Sequence, residues 1–356
     1  MSPGPVTNAA SDRRVHFVLP GDVDDPAAAS GGNVYDRRIS AGLAALGADV
    51  REHAVPGSWP RPDARARARL AESLAGIPDG AVVLLDGLVA GGVPDVVVPH
   101  AGRLRLAVLV HLPLAEETGL DPATAAELDA AERACLRAAA AVVATGPAAA
   151  GRLARRHRLS RVHTVVPGTD PAPLAPGTDG VSGLLCVASV TPRKGHDVLV
   201  AALAEVAGLP WTCTCAGPPR DAGQAARVAA LARRAGIGDR VLFPGPLTGV
   251  PLERAYAAAD LFVLASRAET YGMVVTEALA RGIPVVASGV ADALGEAGLL
   301  VPPGDAAALA AALRRWFTDE PWRKRLRSAA RERRSRLPGW DVSAGNLAAI
   351  LVSLRA

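Results

Sequence analysis

Two carboxylates, Glu269 and Glu277, stand with seven residues between them in ETYGMVVTE, where the apolar run LFVLAS turns into the helical stretch VVTEALARG. The turn around Gly272 opens that helix. The first amides of a helix have no intrahelical acceptor, which suits them to a phosphate. Two acids beside a phosphate pocket repel the ligand unless they bind hydroxyls. A carboxylate accepts two hydrogen bonds from a diol, so sugar hydroxyls are the fitting partners. A second group follows GLLCVASV in TPRKG, where Arg193 and Lys194 place adjacent cations at a strand end and a helix start. Arg grips a phosphate with two parallel bonds, and Lys offers a compact point charge. Lysine occurs only at 194 and 324 in an arginine-rich chain, which points to a geometric need at Lys194. His111 ends the apolar run LRLAVLVH. Ser30-Gly31-Gly32-Asn33 lies past the first strand, where paired glycines let backbone N–H groups approach an anion or a sugar closely. These residues together fit a ligand made of nucleoside, diphosphate and sugar. No metal-ligating cluster stands out in the sequence, so cationic side chains and helix N-termini have to neutralise the diphosphate.

The elements that must position these groups alternate as strand and helix. Strands are expected at Val15–Pro20, Ala81–Gly87, Leu104–His111, Ala141–Gly146 and Val162–Gly168, with Ala- and Arg-rich helical stretches between them. Their apolar runs show little polar alternation, the pattern of parallel strands covered on both faces. Thr169–Gly180 is dense in Pro and Gly and reads as a linker. Beyond it GLLCVASV, WTCTCAGP, VLFPGP, LFVLAS, PVVAS and GLLVPP restart the pattern, and Asp305 reads as the N-cap of AAALAAALRRWF. The expected class is α/β: residues 1–170 as one doubly wound domain, 171–180 as linker, 181–335 as a second, and 336–356 as a helix packing back on the first. Ligands of such sheets sit at the carboxyl ends of the strands, so the expected site is a cleft between the domains.

The chain has 356 residues, half of them hydrophobic and 21% charged, which supports large buried cores and excludes disorder as the main state. Five Trp, three Tyr and four Phe are too few for base-stacking platforms, which argues against nucleic acid as a partner. The net charge of +4 suits anionic small molecules, with a membrane surface the less favoured partner. The longest apolar candidate, Ala134–Gly151, is interrupted by Arg137, Gly146 and Pro147 and cannot span a bilayer. The start, MSPGPVTNAASDRR, has no apolar core of the secretory kind, so a cytoplasmic location is expected. Cys135, Cys186, Cys213 and Cys215 form no C-x-x-C pair and are expected as buried reduced thiols.

In this order and spacing the motifs resemble those of a family 4 (group 1) retaining glycosyltransferase of the GT-B fold, two facing Rossmann-like domains. The resemblance covers nearly the whole chain. It is densest from Val162 to Phe317, in VVPGTDPAP, LLCVASVTPRKGHDVLVAAL, VLFPGPL, AYAAADLFVLASRAETYGMVVTEALARGIPVVAS and AGLLVPPGD. Glu269 and Glu277 resemble the paired-acid signature of retaining transferases. The resemblance implies that Arg193 and Lys194 bind the donor diphosphate and stabilise its charge as it leaves. The amides of Gly272, Met273, Val274 and Val275 would hold the same group, and Glu277 the ribose hydroxyls. Glu269 would bind the transferred sugar and orient its anomeric carbon. His111 would contact that sugar from the first domain, and Gly31 and Gly32 would lie against the donor. The implied reaction moves a hexose-type sugar from a nucleotide diphosphate sugar, UDP favoured, to a hydroxyl of a small acceptor, with no cofactor and no metal. No carboxylate is a clear nucleophile for double displacement. Same-face attack is favoured, the departing phosphate oxygen taking the acceptor's proton. The loop in SGVADALGEAGLLV, which in the family helps shape the sugar and base pocket, is short, and a compact chain with little room for acceptor-side insertions favours the small acceptor. A lipid-acceptor transferase at a membrane and a sugar-nucleotide epimerase are the alternatives. The Ala- and Arg-rich composition points to a GC-rich bacterial genome, and the small acceptor then points to specialised metabolism.

Overall fold

The computed structural model describes residues 13–25, 30–117 and 119–355. The absence of a secretory core was read on Met1–Arg14, of which residues 1–12 lie outside the described ones. The chain divides into two units, Met1–Gly168 with Trp340–Ala356, and Thr169–Gly339.

The first unit runs β1 (Arg14–Pro20), α1 (Gly31–Ala45), β2 (Asp49–Val55), α2 (Ala64–Ala75), β3 (Val82–Asp86), α3 (Gly87–Ala90), α4 (Pro94–Val97), β4 (Arg105–Val110), α5 (Pro122–Ala138), β5 (Ala141–Ala144), α6 (Pro147–His157) and β6 (His163–Thr164). Its sheet has the order β2-β1-β3-β4-β5-β6, with every pair parallel. The interior strands are the apolar runs; Val82, Val83, Leu84, Leu85 and Leu109 are all buried. β2 is absent from the strands expected above. It lies at the edge, where one side meets solvent, so DVREHAV needs no continuous apolar run and keeps Arg51 and Glu52 exposed. The opposite edge, β6, is two residues long, shorter than the apolar run suggested.

The second unit runs β7 (Gly183–Val187), α7 (His196–Glu205), β8 (Thr212–Ala216), α8 (Ala222–Arg234), β9 (Val241–Gly245), α9 (Gly249–Ala257), β10 (Leu261–Leu264), α10 (Met273–Ala280), β11 (Val285–Ala287), α11 (Ala291–Leu294), β12 (Gly298–Leu300), α12 (Ala306–Thr318) and α13 (Glu320–Arg334). The sheet order is β12-β11-β10-β7-β8-β9, again parallel. Asp305 caps α12 by accepting from the Ala308 amide at 2.8 Å. The Pro/Gly-rich stretch 169–180 forms no helix or strand and is fastened to this unit: Asp260 accepts from the amides of Thr178 and Gly180 at 3.0 Å each. All four cysteines are buried and free.

The chain returns to the first unit as α14 (Trp340–Ser353). It packs on α1 where Gly42 leaves room: a Cβ there would stand 2.5 Å from that of Ala344. The Ser343 hydroxyl donates to the Val166 carbonyl at 2.7 Å. Among the described residues no helix is long and apolar enough to cross a membrane.

Candidate functional site

In the second unit the strand order reverses beside β7, with β8 and β9 on one side and β10, β11 and β12 on the other. Open α/β sheets take ligands outside the carboxyl ends of the strands at such a reversal. The loops leaving β7 and β10 there carry Arg193, Lys194 and Glu269. After β7 the chain makes one 3-10 turn, Pro192–Lys194, and enters α7 through Gly195. Gly195 has φ of +66°, and a Cβ on it would fall 1.9 Å from the Ala265 carbonyl oxygen, so only glycine lets this loop lie against the end of β10. Arg267 then ties the loops into one piece. Its amide donates to the Arg193 carbonyl at 2.8 Å. Its guanidinium reaches the Pro192 carbonyl at 2.6 Å and both oxygens of Asp197 at 2.9 Å.

On this frame the Glu269 carboxylate accepts from Lys194 Nζ at 2.5 Å and Ser266 Oγ at 2.8 Å, with Arg193 Nη1 3.6 Å from its other oxygen. Arg193 also donates to the Ala268 carbonyl at 3.1 Å. The three charged side chains keep only 7% (Glu269), 18% (Arg193) and 16% (Lys194) of their surface exposed, so this is a mostly desolvated ion triad. Burial pushes the Glu269 carboxyl up, but Lys194 and then Arg193 outweigh it and hold the group below the ordinary carboxylate range.

The same loop continues to Gly272, whose φ of +94° turns the chain into α10. No side chain caps that helix, and the Val275 amide is taken by the Gly272 carbonyl at 2.9 Å. The start of α10 at Met273 and Val274 thus has no side-chain acceptor of its own. Glu277 lies one turn further and accepts from the buried Tyr256 hydroxyl at 2.7 Å. Burial raises its carboxyl above the usual range, against the opposing pull of Tyr256 and Arg281.

The first unit gathers the other sequence-predicted residues. α1 begins at Gly31, capped by Ser30 Oγ, which accepts from the Asn33 amide at 3.1 Å. Gly32 lies against the His111 ring: a Cβ would stand 3.2 Å from its Cδ2. His111 Nε2 is 2.8 Å from Asp36 Oδ1, and the Tyr35 ring meets His111 edge-on at 5.2 Å. Tyr35 in turn meets Trp340 of α14 at 5.6 Å and donates to the Val165 carbonyl at 2.9 Å. Asp86, at the end of β3, completes the group; one ligand atom from each of Asp36, Asp86 and His111 lies within 4.8 Å of the others.

Arg193, Lys194, Glu269, Gly272, Met273, Val274, Val275 and Glu277 therefore cluster on neighbouring loops of one unit. Gly31, Gly32 and His111 cluster in the other. Sequence reasoning missed Ser266, Tyr256, Asp36 and Asp86. Asp86 ends an apolar strand just as His111 follows one, and the same rule would have found it. Asp36 carries no such signal: in GGNVYDRR it looks like any polar residue of a helix face.

Residues 182–319 match the family model of glycosyl transferases group 1. A D-inositol 3-phosphate glycosyltransferase of Frankia alni is 34% identical over 208 residues, 52% of this chain and 51% of its own length. The sulfoquinovosyl transferase SQD2 of Arabidopsis thaliana is 40% identical over 99 residues, 26% of this chain and 19% of its own. The chain thus spans about half the length of the first curated relative, and less of the second. A sucrose-phosphate synthase of Thermosynechococcus elongatus superposes with a TM-score of 0.76 at 23% identity, over 95% of this chain and 98% of its own. The Anabaena protein HepE, in complex with UDP and glucose, gives 0.74 at 17% identity over 96% and 100%. The fold is that of the GT-B glycosyltransferases, and the matches support a group 1 glycosyltransferase.

Proposed function

We infer that this chain is a family 4 retaining glycosyltransferase. It moves a hexose-type sugar from a nucleotide diphosphate sugar, a UDP-sugar by preference, to a hydroxyl of a small acceptor. The observation that carries the reading is the triad of Arg193, Lys194 and Glu269, held at the strand reversal beside the uncapped start of α10. Two preordered cations and a helix N-terminus form a diphosphate site, and a carboxylate among them calls for a neutral, hydroxyl-rich ligand part. The inositol phosphate in the name of the Frankia relative and the UDP–glucose complexes of HepE are in keeping with a small acceptor and a UDP donor.

As the bond from sugar to phosphate breaks, negative charge grows on the diphosphate. Arg193, Lys194 and the α10 amides interact most strongly at that point, which is where a rate gain arises. Glu269 holds Lys194 in place before the donor arrives and receives hydroxyls of the transferred sugar. Glu277 takes the ribose diol. The acceptor attacks from the face the phosphate leaves, and the departing phosphate oxygen takes its proton. These cations make a metal ion unnecessary for charge neutralisation.

The test is turnover with a panel of UDP-, GDP- and ADP-sugars, with EDTA present and the anomeric configuration of product read by NMR. Lys194→Ala should lower kcat by about 10²–10³, the effect of removing one such donor. Turnover of the preferred donor by that variant at the wild-type rate, or an inverted product, overturns the reading.

A further inference from the structure

Asp36 is wholly buried in α1, and Asp86 is nearly so. Asp36 Oδ1 pairs with His111 Nε2 at 2.8 Å, while Oδ2 meets no N–H or hydroxyl donor. Asp86 Oδ1 accepts from the Leu88 amide at 2.6 Å, and one oxygen of each acid lies within 4.8 Å of the other and of the imidazole. With both acids ionised, two anions would share one buried site with a single imidazole, which is costly. The proton belongs on Asp86: burial, and then the charge of Asp36, pushes that carboxyl up to about 8. His111 moves the other way from what burial alone would do. Burial lowers it, but the charge and hydrogen bond of Asp36, and then the charge of Asp86, raise it to about 9. Among the described residues, the charges acting on the ring are Asp36 from α1 and Asp86 from β3. Tyr35 faces it as a phenol whose ionisation burial pushes far up, and Gly32 brings no side chain.

We propose that Asp36 is a positioning residue for the reaction assigned above: with Asp86 holding a proton, it fixes His111 as an imidazolium and leaves Nδ1–H as a donor to a hydroxyl or phosphate oxygen of the substrate. The proposal rests on the glycosyltransferase reading for its substrate only. The His111 side chain keeps 18% of its surface exposed while both acids are buried, so the accessible part of the cluster belongs to His111. His111 is then a fixed cation and not a general base, since a base must lose its proton near neutrality. An aspartate bonded to one ring nitrogen orients the imidazole and selects its protonation in the same way elsewhere. Gly32 serves the arrangement, because any side chain there would press on the ring edge next to Nε2.

The experiment is a long-range ¹H–¹⁵N NMR titration of the full chain labelled at histidine, with His111 assigned through His111→Gln. In the wild type, His111 should stay doubly protonated to about pH 8. In Asp36→Asn its titration should fall by at least about one pH unit, a tenfold change in proton affinity. Asp86→Asn, which mimics the protonated acid, should leave His111 cationic at neutral pH. A neutral His111 at pH 7 in the wild type overturns the proposal whether or not any variant folds. So does an unmoved titration in a folded Asp36→Asn. The three groups are also spaced to hold a divalent cation, which needs a neutral imidazole. One equivalent of zinc or manganese, found by elemental analysis and lost in Asp36→Asn, overturns it as well. If His111 is cationic but no nucleotide sugar is turned over, the charge assignment stands and the reaction assigned above fails.

Discussion

Replacing Glu269 by Gln isolates the work of the ion triad. The carboxylate holds Lys194 at 2.5 Å and has Arg193 at 3.6 Å, and all three side chains are mostly buried. Removing one partner of a buried pair costs about 3–5 kcal/mol, because the other charge is left uncompensated. The lower end applies here. Lys194 and Arg193 keep 16% and 18% exposure, and Gln can still accept from Ser266 and Lys194. A loss of about 3 kcal/mol in a unit of this size lowers its melting temperature by roughly 6–12 °C. UDP should then recover more stability in the variant than in the wild type, because its diphosphate meets two cations no longer shared with a carboxylate. Sugar transfer should be lost. The pH dependence has a definite sign. Glu269 is held below its ordinary range, so its contribution is present above the unfolded carboxylate pKa and disappears as pH falls through the folded one. Variant and wild type should therefore converge in acid. Scanning fluorimetry and urea unfolding, with and without UDP at several pH values, make the measurement. A variant within about 1 kcal/mol of wild type at neutral pH, or a UDP shift no larger than that of wild type, refutes the triad as an organising feature.

Two further substitutions probe the frame. Gly195→Ala places a Cβ 1.9 Å from the Ala265 carbonyl in a left-handed conformation, and should cost more than about 4 kcal/mol, seen as loss of the folded second unit by circular dichroism. Gly208→Ala, with nothing within 4 Å, should stay within about 0.5 kcal/mol. Tyr256→Phe deletes the 2.7 Å hydrogen bond to Glu277 and should cost about 1.5 kcal/mol at neutral pH by urea unfolding. Because that bond lowers a carboxyl already raised by burial, its loss lets Glu277 hold its proton to higher pH. A group raised in the folded state stabilises on the acid side, so the penalty should shrink as pH falls through the carboxylate range.

What could be read in the sequence divides along one physical line. Interior strands were legible because burial on both faces leaves an unbroken apolar signal, as in VVLLD of β3 and LFVL of β10. β2 escaped because an edge strand has one solvated side, and the ion pair of Glu52 with Arg37 replaces apolar burial there. Arg193, Lys194, Glu269 and Glu277 were legible because strand ends and helix starts mark them, and because charged residues in such places have few structural uses. Asp36 was not, since its meaning comes from a partner 75 residues away. Ser266 and Tyr256 carry no signal of their own in the sequence; only the fold shows each hydrogen-bonded to one of the two acids.

The two polar clusters hold their cations by the same means but differ in net charge, and that difference predicts different roles. Lysine and arginine lose much rotamer freedom on binding, and a cation organised beforehand by a carboxylate has less to lose and less solvent to shed. Arg193, Lys194 and Glu269 together carry a formal charge of +1, so the cluster is ordered and still attracts an anion. His111 and Asp36 cancel when Asp86 is protonated, so that cluster gives direction without long-range attraction. UDP binding should accordingly weaken with ionic strength, through screening over about 8–10 Å at moderate salt. Discrimination between donor sugars, set by neutral hydroxyls at short range, should hold steady across the same series. Isothermal titrations of UDP and competing UDP-sugars from low to moderate salt separate these effects. A sugar preference that collapses in parallel with diphosphate affinity would show that charge, and not directed hydrogen bonding, selects the sugar.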